Sequence, residues 1–189
     1  MEIKNFTQNY IRNLEKLLRS IDTRIVEQIV EQIDICAQKK SRFYVIGNGG
    51  SSATVSHMAN DLGVGLKRRD IISLDIVSLG DNSPVVTAIA NDIGYENIFY
   101  MQLKDVLKPD DVLLAISCSG NSPNIVKAIE YAKEVGSIII GVSGFDGGKL
   151  KELADIKFHV DAPKGEYGLV EDIHMILDHI IYSYYIQRG

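Results

Sequence analysis

The chain has 189 residues, 46% hydrophobic and 24% charged, which is the make-up of one ordinary globular domain long enough to bury a core. Its formal net charge of −5 excludes a global electrostatic pull towards nucleic acid, and the one basic run, Lys67-Arg68-Arg69, reads as a solvated turn. No apolar run approaches the roughly 20 residues of a membrane span, the polar start MEIKNFTQNY is unlike a secretory leader, and two cysteines without a CxxC partner are too few for a disulfide framework; a cytoplasmic protein with no membrane and no nucleic-acid partner is expected.

Ile3, Phe6, Tyr10, Leu14, Leu17 and Ile21 recur at three- and four-residue steps, as do Ile25, Val26, Ile29, Val30, Ile33 and Cys36. Each series predicts an amphipathic helix, whose stripe covers the sheet or meets another subunit. Strands are predicted at 42–46, at 75–79 within an apolar stretch 71–79, at 112–116, at 137–142 and, more weakly, at 156–160. Helical segments fall at 51–62, 83–104, 122–135 and about 148–154. A long helix closes the chain near 168–187, where Ile173, Ile176, Leu177, Ile180, Ile181 and Tyr184 form its stripe. Strands alternating with helices predict a doubly wound α/β domain over 1–189, with a five-stranded parallel sheet covered on both faces and an N-terminal helical extension over 1–40. Ligands of such sheets sit beyond the carboxyl ends of the strands.

Two loops occupy that position. Gly47-Asn48-Gly49-Gly50-Ser51-Ser52 follows the first strand and opens a helix. Its glycines let backbone N–H groups approach an anion, Ser51 or Ser52 is placed to cap the helix, and the helix dipole adds positive potential. It lacks the Lys-Ser/Thr of a P-loop and is not GxGxxG. Ser117-Cys118-Ser119-Gly120-Asn121-Ser122-Pro123 follows the third strand, with Ser122 as N-cap and Pro123 as the first helical residue. Three hydroxyls around one glycine exceed what a cap requires and suit a phosphate monoester held without a lysine. Cys118 has no base or cation beside it in sequence and is expected to pack.

His57 and Asp61, four residues apart, share a helix face and match the spacing of a metal chelate or of a surface ion pair. The last helix gathers Glu171, Asp172, His174, Asp178 and His179. His179, beside the apolar stripe, is expected to face packed protein. His174 is spare, placed to pair with Glu171 or Asp178, and His159 reads as structural. Glu171 and His179 are separated by about 12 Å of helical rise, so one metal between them needs an irregular helix or a neighbouring subunit.

Taken together, GNGGSSATVSHMANDL, Ala90-Asn91-Asp92, SCSGNSPNIVKAIEYAKEVG, SGFDGG and VEDIHMILDH resemble the sugar isomerase (SIS) domain family, nearest to the phosphoheptose isomerases, from about residue 40 onward. The resemblance implies a flavodoxin-like fold and a substrate site lined by Asn48, Gly49, Gly50 and Ser51, with Asn91 and Asp92 nearby. It implies a phosphate cradle of Ser117, Cys118, Ser119 and Ser122, Cys118 standing where the family usually has threonine. It implies zinc and catalytic positions at His57, Asp61, Glu171 and His179, and a homotetramer with sites built between subunits. Asp61 stands where the family usually has its glutamate base, Glu171 where it has glutamine, and Gly65 where it has a substrate-contacting arginine. Lys67 or Arg68 replaces that arginine only if the turn bends inward.

The activity so implied is aldose–ketose isomerisation, sedoheptulose 7-phosphate to D-glycero-D-manno-heptose 7-phosphate. Glu171 or Asp61 would be the proton-transferring base, with Glu171 also contacting substrate and His179 either a metal ligand or a proton shuttle. The alternatives are an isomerase of another ketose phosphate, and a non-catalytic phosphosugar sensor or protein-binding scaffold.

Overall fold

The computed structural model describes residues 2–188. Two helices, α1 (Ile3–Arg19) and α2 (Thr23–Lys39), precede β1 (Arg42–Gly47). Helix α3 (Gly49–Met58) continues without a break into a π-helical segment (Ala59–Gly65), and β2 (Asp75–Ser78), α4 (Ser83–Ile93), a 3-10 turn (Tyr95–Asn97) and α5 (Tyr100–Leu103) follow. The remainder alternates as β3 (Val112–Ser117), α6 (Pro123–Val135), β4 (Ile138–Gly144), α7 (Gly148–Leu153), β5 (Ile156–Val160) and α8 (Tyr167–Arg188). The strands form one sheet in the order β2-β1-β3-β4-β5, every pair parallel.

Strand alternation divides the interior into two cores. Phe43 and Val45 of β1 with Val112, Leu114 and Ile116 of β3 face α2, α3 and α8. Tyr44, Ile46, Leu113 and Ala115 face α6, α7 and the segment around Ile98–Leu107. A sheet covered on both faces explains why these strands read as unbroken apolar runs. The chain leaves β1 for one face and β3 for the other, so a crevice opens between two adjacent strands at their carboxyl ends, the switch point of this strand order.

Three elements depart from expectation. The single helix predicted over 83–104 breaks at Gly94, whose φ of +99° takes the chain out of helical geometry. The apolar stripe of α8 is turned: Val170, Ile173, His174, Leu177, Asp178, Ile181 and Tyr185 are buried, while Ile180 and Tyr184 remain 39% and 47% exposed. This helix is apolar on two sides, and the sheet takes only one. Helix α1 buries no residue; it is held to α8 by the Tyr10 hydroxyl, which donates to Asp172 Oδ2 at 2.6 Å. No helix among the described residues is long and apolar enough to cross a membrane.

Candidate functional site

The two loops are stitched together across the crevice. Asn48 and Asn124 exchange amide hydrogen bonds of 2.9 and 2.8 Å, and the Tyr95 hydroxyl donates to Asn48 Oδ1 at 3.0 Å. Asn48, not Ser51 or Ser52, is the N-cap of α3, and its side chain makes no cap bond because it is committed to α6. Ser51, 5% exposed, instead turns into a cavity of ≈ 200 Å³ that it shares with Ser117, Cys118, Ser119 and Ser122. Gly120 gives this second loop its shape: its φ is +63°, and a Cβ there would lie 1.9 Å from the Gly147 carbonyl oxygen. Ser117 Oγ accepts from the Gly120 N–H at 3.1 Å, and Ser119 Oγ from the Asn121 N–H at 3.2 Å. Ser122 is the N-cap of α6 but makes no side-chain cap bond; its hydroxyl lies 3.4 Å from that of Ser117, free to bind a ligand. A larger hollow, ≈ 460 Å³ at the opposite end of the sheet, is occupied by its own ion pairs, Lys39–Asp110 and Arg42–Asp75.

Glu171 also lines the cavity. A Cβ on Gly50 would meet both its carboxylate oxygens at 2.5 Å, so glycine is what lets this carboxylate rest on the first turn of α3, at the positive end of the helix dipole. Burial, and then the Glu171 charge, push the Cys118 thiol up to about 11. It is therefore a neutral packed group at neutral pH rather than a thiolate nucleophile.

Two turns further along, α3 and α8, which run parallel, bring together a second group. One donor atom each from His57, Asp61, Asp178 and His179 lie within 4.8 Å of one another. His57 Nε2 is 3.2 Å from His179 Nε2, 3.4 Å from Asp61 Oδ2 and 3.8 Å from Asp178 Oδ2. Asp61 comes from the π-helical segment, a helix form frequent at functional sites. Asp178 has a side chain with no exposed surface, and neither carboxylate oxygen has a hydrogen-bond partner. Burial, then the Asp61 charge, push its carboxyl up to about 7. Two imidazoles and two carboxylates suit zinc, and donors at about 2.0–2.1 Å from a tetrahedral ion are spaced about 3.3 Å apart, close to the separations here. The orphaned Asp178 oxygens and this donor set fit a divalent cation.

A family model described as "SIS domain" matches residues 9–144. The chain belongs to the SIS domain family. It is 32% identical to a phosphoheptose isomerase of Helicobacter pylori (strain P12) over 176 residues, 92% of this chain and 90% of that one. It is 37% identical to a phosphoheptose isomerase of Clostridium acetobutylicum over 186 residues, 95% and 92% of the two chains. The solved phosphoheptose isomerase of Neisseria gonorrhoeae superposes with a TM-score of 0.84 at 26% identity, covering 98% of this chain and 97% of that one.

Within this SIS domain, Asn48, Ser51, Ser117, Cys118, Ser119, Ser122 and Glu171 line one cavity, and His57, Asp61 and His179 form one donor group. Glu171 is not in that group. Helix α8 is regular through Tyr167–Arg188, and the seven residues from Glu171 to Asp178 carry it about 10 Å along the axis, so within one subunit it is Asp178 that completes the group. His179 is exposed rather than packed, because Asp178 and His174 take the inward positions. His174 pairs with neither Glu171 nor Asp178: its Nε2 lies 3.3 Å from the Ser143 carbonyl oxygen, and burial lowers its pKa to about 4. His159 Nδ1 lies 3.1 Å from Ser143 Oγ, a structural contact. Asn91 and Asp92 are exposed on α4, bonded to each other at 2.9 Å, and do not line the cavity of the SIS domain. Lys67 and Arg68 are exposed and Gly65 lies against Tyr182, so the turn does not bend inward. Sequence reasoning missed Tyr167, which lines the cavity, and Asn124, which locks Asn48. It noticed Asp178 without assigning it; an aspartate inside an apolar stripe was the available signal.

Proposed function

We propose that this SIS domain is an aldose–ketose isomerase that converts sedoheptulose 7-phosphate to D-glycero-D-manno-heptose 7-phosphate. The observation that carries this reading is the shared cavity of the two serine loops, two helical turns from a His/Asp donor group. From Gly50 to His57 along α3 the rise is about 10 Å, the reach of an extended phosphosugar of six or seven carbons. The names of the relatives select the heptose.

The Ser117, Ser119 and Ser122 hydroxyls and the N-terminus of α6 hold the phosphate, with Cys118 and Ser51 as packed walls and Asn48, Gly49 and Gly50 along the sugar. Two anions must share this space. They do so because Glu171 occupies the N-terminus of α3 and leaves that of α6 to the phosphate. His57, Asp61 and His179 hold a divalent ion, which we take to be zinc. What such an ion supplies when bound is Lewis-acid polarisation of the substrate carbonyl. Asp61, at the same end of the sugar as the ion, takes the proton from C1 and returns it to C2, while the O1 proton passes to O2; Glu171, about 10 Å away beside the phosphate loops, orients the sugar chain. Phosphate binding, remote from the reacting carbons, supplies orientation.

We take the working form to be a homotetramer in which subunits complete one another's sites. The support is the apolar surface one subunit leaves open, Ile3, Phe6 and Ile11 on α1 and Ile180, Tyr184 and Ile186 on α8. The test is incubation of zinc-loaded protein with sedoheptulose 7-phosphate. An aldose heptose phosphate is expected; binding without turnover would overturn the enzymatic reading in favour of a sensor.

A further inference from the structure

Asn48 opens α3 at the edge of the cavity, and a chain of hydrogen bonds decides which way its amide faces. A backbone N–H can only donate, so the 3.0 Å bond from Ile125 N fixes which end of the Asn124 amide, 1% exposed, is oxygen. That choice fixes the next amide. Asn124 Oδ1 also accepts from Asn48 Nδ2 at 2.9 Å, and Asn124 Nδ2 donates to Asn48 Oδ1 at 2.8 Å. The Tyr95 hydroxyl, 3.0 Å from the same oxygen, must then donate to it. Two donors fill both lone pairs of Asn48 Oδ1. Its Nδ2 keeps a second N–H, which has no partner among the described residues.

We propose that Asn124 and Tyr95 are positioning residues that present Asn48 to the sugar phosphate as a hydrogen-bond donor only. This rests on the substrate reading given above and deepens it. The two donors on Oδ1 draw charge from the amide and strengthen the N–H left for the ligand. An amide held in this way meets an oxygen of the sugar phosphate and has nothing to offer a group that can only donate. Both holders are fixed to one helix. Ser122 is the N-cap of α6 and Pro123 its first residue, which makes Asn124 the second. Tyr95 follows Gly94, whose φ of +99° ends α4, in a turn pinned to α6 by Lys127, which donates to Asn97 Oδ1 at 2.6 Å. The helix whose N-terminus takes the phosphate therefore also sets, across the crevice, the donor that meets the sugar. Phosphate anchoring and sugar alignment become one rigid arrangement.

The test is calorimetric titration of the full chain with inorganic phosphate and, separately, with sedoheptulose 7-phosphate, the latter read as one apparent affinity once any turnover has reached equilibrium. Wild type is compared with Asn48→Ala, Asn124→Leu, Tyr95→Phe and the double variants Asn48→Ala/Asn124→Leu and Asn48→Ala/Tyr95→Phe. Asn124→Leu is expected to weaken sugar phosphate binding by about 10-fold and Tyr95→Phe by about 3-fold, the range of single hydrogen bonds, with inorganic phosphate held within about 2-fold. In the Asn48→Ala background each change is expected to cost less than about 2-fold more, because both act through Asn48. Tyr95→Phe removes one hydroxyl from a side chain that is 54% exposed, so it decides the matter even where Asn124→Leu does not fold. Losses that add in the Asn48→Ala background, an equal loss for inorganic phosphate, or a Tyr95→Phe variant that binds the sugar as wild type does would overturn the positioning role. Wild type that does not bind the sugar phosphate would overturn the substrate reading beneath it.

Discussion

Ser122 begins α6 yet contributes no side-chain bond to the helix, although serine is among the preferred capping residues. Its hydroxyl and that of Ser117 both face the cavity. Ser122→Ala should therefore leave thermal stability nearly unchanged while weakening phosphosugar binding by about 10- to 100-fold, a hydrogen bond to a charged group being worth ~1.5–3 kcal/mol. Melting temperature and phosphosugar affinity, measured on the same preparation, check it. Asp61→Asn keeps the shape of the side chain and removes its basicity. It should lower kcat by about 10²- to 10⁴-fold, the usual contribution of a positioned base, with KM little moved; steady-state kinetics decide. The phosphate loop was legible in the sequence because its chemistry is local: three hydroxyls and a glycine lie within six residues. The separate roles of Glu171 and Asp178 were not, because they depend on which turn of α8 meets which turn of α3.

At the scale of elements, the parallel pairing of α3 with α8 links the two halves of the site, and the same apolar packing that fixes it buries His174. Its nitrogen Nδ1 has no partner, and burial holds its pKa at about 4 against an ordinary 6.5. The unfolded chain therefore takes up a proton before the folded one as pH falls. Stability is retained above pH 6.5 and declines as pH drops towards 4, by about 3 kcal/mol from this one group, at roughly 1.4 kcal/mol per unit. His174→Leu should flatten this limb relative to wild type, as read by urea unfolding between pH 7 and 4.5. Strand positions were legible to within a residue or two, because β1, β3 and β4 are buried on both faces and read as apolar runs, and the strands are flanked by glycine, proline or charge. The rotation of α8 was not. Both of its sides are apolar, and periodicity alone does not say which of them meets the sheet.

Across the whole molecule, the strand order places both serine loops at the switch point of the sheet; their place beyond the carboxyl ends followed from the alternation of strands and helices, and the order from the resemblance to a flavodoxin-like family. What covers α1 did not follow. Its Ile3, Phe6 and Ile11 are 77%, 49% and 52% exposed, and a groove of ≈ 320 Å³ between α2 and α8 is lined by Val26, Val30, Ile180 and Tyr184. Apolar surface of this kind marks association. The double variant Phe6→Glu/Ile11→Glu should shift the proposed homotetramer to smaller species by light scattering, and should lower activity in the same proportion if subunits complete one another's sites; wild type running as a monomer would count against the assembly. The most direct test of isomerisation itself is a proton NMR time course of zinc-loaded protein with sedoheptulose 7-phosphate in deuterated water. Carboxylate-mediated transfer between C1 and C2 predicts an aldose heptose 7-phosphate carrying solvent deuterium at C2. A sugar that binds, with no new anomeric signal and no exchange at C1, would contradict it.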